Sequence, residues 1–95
     1  MMKVTWFKLA IWDLTAIRDY IGKDNPAAAL RTVRRIKEAV SSLSEQPGIG
    51  RPGRVLGTKE LVIDQTPYIL PYRVHDNRIE ILRVFHTSRQ WPKHF

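Results

Sequence analysis

Few side chains in this 95-residue chain could do chemistry, and they fall into small groups. His86 closes the run IEILRVFH. A histidine serves as acid and base near neutral pH, provided a substrate comes within hydrogen-bond reach. The same side chain is equally suited to packing or to touching a protein partner. Arg51 and Arg54 sit in PGIGRPGRVLG. Glycines there let the backbone approach a ligand, and a guanidinium fork matches phosphate or carboxylate. A merely solvated loop is the alternative. Arg89, Trp91 and Lys93 mix charge with an aromatic ring. Such a mix stacks a nucleobase or anchors a protein partner, unless Trp91 folds back on the core. Arg73 could bind phosphate, but its expected neighbour Glu80 offers an ordinary cross-strand ion pair. Arg83 falls among apolar side chains, where a buried arginine needs an acid at the rim.

What is missing narrows the chemistry further. The chain has no cysteine, so disulfides, zinc–thiolate sites and thiol catalysis are excluded. No His and carboxylate pair has metal-ligand spacing. GIGRPG has neither a strand before it nor a helix after it, so it is not a phosphate or dinucleotide loop. No cofactor and no metal are expected. No apolar run reaches the roughly 18 residues of a membrane helix, and no signal-peptide pattern opens the chain. A cytoplasmic protein with no membrane partner is the matching expectation. Lysine and arginine number 16 against 9 acids, a net charge of +7. That field favours acidic partners, nucleic acid or protein. The length fits one small domain over residues 1–95 with a thin core.

The elements that would position these residues follow from periodicity. Lys3 to Phe7 alternates as a short strand. Ala10, Leu14, Ile17 and Ile21 recur at helical spacing, with Asp13, Arg18 and Asp19 largely off that face and Gly22 at the end. Asn25 and Pro26 start a second helix. Its apolar seam is Ala29, Val33, Ile36, Val40 and Leu43, with Arg31, Arg34, Arg35 and Lys37 mostly off it. The short break makes an antiparallel helical hairpin. Prolines and glycines in 47–57 forbid regular structure there. A strand from about Lys59 to Ile63 and a turn at Asp64–Pro67 follow. Tyr68–His75 and Arg78–His86 read as a hairpin about Asp76-Asn77. Tyr72 then faces Ile81, Leu70 faces Arg83 and Tyr68 faces Phe85, all toward the helices. The other face carries Ile69, Pro71, Arg73, Glu80, Leu82, Val84 and His86. Pro71 removes a ladder donor, so an edge position or a nearby bulge is expected. The result is an α+β fold: β-α-α-β-β-β, a mostly antiparallel sheet with an N-terminal helical hairpin packed on one face.

This order, with GRPGRV, GTKELVI, PYILPYRV, IEILRVFH and the exit HTSRQWP, resembles the RelE/ParE superfamily of bacterial type II toxins over essentially the whole chain. The resemblance implies a small basic toxin neutralised by a cognate antitoxin, and Arg31, Arg34 and Arg35 would meet that acidic partner. RelE-like members cut messenger RNA on the ribosome with basic residues and a His, Glu or Tyr. ParE-like members inhibit DNA gyrase and lack most of that set. The ending VFH with an arginine three residues on looks more like the ParE branch. His86 stands where some nuclease members place a catalytic histidine, although many ParE-like members carry one too. Ile69 replaces a nuclease arginine, and no tyrosine follows His86. Glu60 could stand for a general base. The leading expectation is therefore a gyrase-binding toxin whose target is met by Arg51, Arg54, Arg89 and Trp91. The alternative is a ribosome-dependent endoribonuclease using His86, Arg73 and Glu60.

Overall fold

The computed structural model describes residues 1–95 and gives the element order expected, with two additions. Strand β1 (Lys3–Trp6) leads into helices α1 (Lys8–Gly22) and α2 (Pro26–Leu43). Strands β2 (Arg51–Pro52), β3 (Lys59–Val62), β4 (Tyr68–His75), β5 (Arg78–Ile81) and β6 (Phe85–His86) follow. Helix α2 starts as its sequence requires. Asn25 accepts the Ala28 amide at 3.0 Å, and Pro26 occupies a first-turn position that needs no donor.

The sheet runs β1-β5-β4-β3-β2, with β6 also paired to β4. All pairs are antiparallel except β1 with β5. The helical hairpin covers one face. Ile36, Val40 and Leu43 of α2 meet Leu61, Leu70, Tyr72, Ile79 and Ile81 in the core, and Leu14 and Ile17 of α1 pack against its edge. Burying a side chain of this size stabilises the fold by about 1.5–3 kcal/mol.

The β4–β5 turn has Asp76 and Asn77 both at positive φ, 49° and 61°, a two-residue turn whose twist matches the strands. It sets Tyr72 opposite Ile81 and Val74 opposite Ile79, the register expected. That register does not persist. Tyr68 pairs with His86 and Ile69 with Phe85, so Leu70 does not face Arg83 and Tyr68 does not face Phe85. One extra residue enters between Leu82 and Phe85, a β-bulge. It lies beside Pro71, as expected, yet Pro71 is in a central strand and not at an edge. Leu82 donates to the Pro71 carbonyl at 3.0 Å, and proline has no amide to return the bond. The ladder is weakest there, and the partner strand bends out of it.

Because side chains alternate, one extra residue exchanges the faces downstream. Val84 joins the helix-side core. Phe85 turns to the outer face with Ile69. His86 lies beside Tyr68 on the rim of the helix side, and the expectation that it faces away from the helices is corrected. Asp13 needs a second correction. It is buried in α1, accepts the freed Val84 amide at 3.0 Å, and takes Arg83 in a fork at 2.7 and 2.9 Å. Its spacing of three from Ala10 and four to Ile17 was the sequence signal that it lies beside the seam. A third correction concerns 47–57, which does contain a strand, the two-residue β2 paired to β3.

Candidate target-binding face

The outer face of the sheet is built from the loop before β3 and the segment after β6. The Tyr72 hydroxyl pins the loop by donating to the Pro47 carbonyl at 2.8 Å and accepting the Gly50 amide at 2.9 Å. A Cβ at Gly50 would stand 2.6 Å from the Tyr72 ring, and one at Gly53 would stand 2.7 Å from the Thr58 carbonyl oxygen. These two glycines are there for close approach. Burial pushes the Tyr72 phenol above its ordinary pKa, against the lowering effect of the Gly50 amide.

The pinned loop delivers Arg51 and Arg54 to Glu60. The Glu60 side chain is only 1% exposed, whereas those of Arg51 and Arg54 are 51% and 48% exposed. Its Oε1 accepts Arg51 Nε and Nη2 at 3.2 and 3.1 Å. Its Oε2 accepts the Arg54 amide at 2.7 Å and lies 3.6 Å from Arg54 Nε. One buried carboxylate thus orients two half-exposed guanidiniums. Three hydrogen bonds thus engage a carboxylate that is almost wholly buried, an arrangement suited to orienting the arginines more than to meeting a substrate as a general base.

Arg54 lies 4.1 Å over the Trp91 ring. Trp91 meets Phe85 edge-on at 5.1 Å, Phe95 stacks on Phe85 at 6.3 Å, and Arg89 and Arg83 sit 4.3 and 4.8 Å over the same ring. Phe85, turned outward by the bulge, is therefore the hub of an arginine–aromatic layer, a role its sequence position did not reveal. Trp91 Nε1 is buried with no partner in the chain. Arg51, Arg54, Arg89 and Trp91, expected to act together, converge here. Arg51 and Arg54 share the single Glu60 carboxylate and Arg89 has no acidic partner, so the layer keeps excess positive charge.

The nuclease candidates do not converge. Arg73 donates Nε to Glu80 at 2.6 Å on the outer face. That hydrogen bond holds the Glu80 carboxyl below its ordinary pKa, against desolvation, with the charges of Arg73, His75 and Arg78 helping. Glu60 is sealed under its arginines. His86 is on the opposite face, edge-on to Tyr68 at 5.6 Å. Its Nδ1 accepts the Ser88 amide at 3.1 Å and lies 2.8 Å from the Ser88 hydroxyl. An amide can only donate, so this network assigns the neutral ring its proton at Nε2 and leaves no free lone pair. Arg31, Arg34 and Arg35 are exposed on α2 and form no ion pair, remote in role from both groups.

The family model for the ParE toxin of the type II toxin–antitoxin system parDE matches residues 4–91. The chain belongs to the ParE toxin family. This ParE-family toxin is 47% identical over 91 residues to Y4kP of Sinorhizobium fredii, covering 96% of the chain and 94% of that protein. It is 44% identical over 89 residues to the toxin RelE2 of Caulobacter vibrioides, covering 94% and 99%. The chromosomal ParDE system from P. aeruginosa matches its structure with a TM-score of 0.82 at 36% identity, covering 90% of the toxin and 96% of that chain. The YoeB–YefM complex from Staphylococcus aureus matches with a TM-score of 0.57 at 24% identity over 90% and 98%, a likeness of fold. The ParE-family toxin has no helix long and apolar enough to cross a membrane.

Proposed function

We propose that this toxin arrests growth by binding DNA gyrase through its arginine–aromatic face, without cutting nucleic acid, and that a cognate antitoxin neutralises it. The observation that carries the reading is the division between the two sets of residues. Arg51, Arg54, Arg89 and Trp91 share one surface around Phe85. His86, Arg73 and Glu60 are spread over two faces, with the histidine lone pair and the glutamate both engaged. A surface with arginines held over aromatic rings supplies the anchors that protein interfaces favour. Family membership and the likeness to the chromosomal ParDE system support the antitoxin partner. Arg31, Arg34 and Arg35, exposed and unpaired, are its proposed contacts. A supercoiling assay with purified gyrase tests the target. Micromolar toxin should block supercoiling, and Trp91→Ala with Arg54→Ala should restore it. Undiminished supercoiling, together with cleavage of translated messages, would reverse the reading in favour of a nuclease.

A further inference from the structure

Beside the arginine–aromatic layer is a cavity of about 670 Å³, between the start of α1, the edge strand β1 and residues 92–95. Its walls are apolar and include Trp6, Phe7, Leu82 and Phe95. Ten residues line it and none is acidic, whereas Lys8, Arg73, Arg83 and His94 all contribute. These basic groups differ in what they have left to offer. Arg83 is committed to Asp13 through Nε and Nη2. Arg73 gives Glu80 only its Nε, so its terminal nitrogens are free. Lys8 is exposed and has no ion pair.

An entering group would therefore meet apolar walls below and, at the rim, the unpaired Lys8 ammonium and the free terminal nitrogens of Arg73. The volume is typical of sites that enclose a ligand, about 300–1,000 Å³. Its mouth is open, however, and Leu9, also in the lining, is 55% exposed and carries the apolar surface outward. That shape fits a polypeptide crossing the rim better than an enclosed small molecule. We propose that this cavity docks an acidic segment of a partner protein, which inserts one apolar side chain and sets a neighbouring Asp or Glu against Lys8 and Arg73. Charge complementarity specifies the partner: an acid-free lining on a chain of net charge +7 selects a negatively charged segment. The inference goes beyond the gyrase reading, because it concerns a second surface and holds whichever protein supplies the segment.

The test titrates the full-length toxin with the blocked pentapeptide EDLDE and follows amide and indole resonances. Signals of Trp6, Leu9 and Leu82 should shift and saturate. The peptides EDGDE and QNLNQ should each lose that saturation, one lacking the apolar side chain and the other the charge. Lys8→Glu should weaken EDLDE about fivefold, the upper range for one exposed ion pair. Lys37→Glu, the same charge change on α2, should not. Lys8→Glu is a safe variant to fold, since an acid in the first turn of α1 is favoured by the helix dipole. Its melting temperature separates lost binding from lost structure. Shifts scattered over the basic surface and indifferent to Lys8→Glu would overturn the proposal. So would saturation by octanoate but not by EDLDE, which would assign the cavity to a small acid. In cells, Lys8→Glu should raise about fivefold either the toxin level needed for arrest or the antitoxin level needed for neutralisation. A variant that arrests growth and is neutralised at the parental levels would also overturn it. Gyrase inhibition is read separately, so failure of either idea leaves the other standing.

Discussion

His86 carries the residue type of an acid–base catalyst, and its Nδ1 is engaged by Ser88. Its Nδ1 lone pair accepts from Ser88 and stabilises the turn leaving β6. Positioned acid–base groups contribute about 10²–10⁴-fold in rate. His86→Ala should therefore leave growth arrest unchanged in a plating assay if the toxin is not a nuclease. A hundredfold gain in survivors would contradict that. Glu80 permits a pH prediction with a definite sign. The Arg73 hydrogen bond lowers its pKa below the ordinary 4.5 in the folded state. Between the folded and unfolded values the folded chain binds fewer protons, so stability rises with pH there. The contribution is complete above the ordinary carboxylate range and vanishes as pH falls through the depressed folded value. Glu80→Gln should therefore lower the melting temperature at pH 7 and make little difference well below pH 4. An equal deficit at both ends would show that packing, not ionisation, is lost.

At the scale of elements, Asp13 joins α1 to the bulge between β5 and β6. Its carboxylate satisfies both the Arg83 guanidinium and the Val84 amide. That partnership raises the Arg83 pKa, with desolvation opposing it. Asp13→Ala would strand a largely buried arginine and an unpaired amide, and should cost about 3 kcal/mol in urea unfolding. A loss under about 1 kcal/mol would place the energetic weight of this joint elsewhere. The loop before β3 depends on Tyr72 and on missing side chains. Gly53→Ala should destabilise the fold by about 1–3 kcal/mol, since the new methyl group meets the Thr58 carbonyl, part of the backbone. Tyr72→Phe should keep the core packed and loosen only the loop, seen as faster hydrogen exchange at the Gly50 amide.

Over the whole molecule, charge and apolar surface are distributed for more than one contact. The net charge of +7 speeds encounter with acidic partners. Helix α1 packs inward and also exposes Leu9, Ile11, Trp12 and Tyr20, while α2 exposes Arg31, Arg34 and Arg35. Reversing those three arginines to glutamate should slow association with an acidic antitoxin about tenfold at low ionic strength. Dissociation should change much less, because rim charges act mainly on encounter. The difference should shrink as salt rises and the Debye length falls to about 8 Å at 0.15 M. A change confined to dissociation would mean that these arginines are buried in the complex.

Periodicity and turn chemistry were enough to determine the helical hairpin, the β4 and β5 strands and the Asp76-Asn77 register, because each rests on contacts within a few residues of chain. Family resemblance was legible in the sequence too, as short motifs in a particular order along the chain. The pairing of Arg73 with Glu80 followed from the register alone. What the tertiary structure decided was everything downstream of one inserted residue. The bulge at Arg83 and Val84 is held by Asp13, some 70 positions earlier in the chain, and no local pattern encodes such a partner. With the period of a strand being two, that single residue sent Phe85 outward to gather the arginines and carried His86 to the other side.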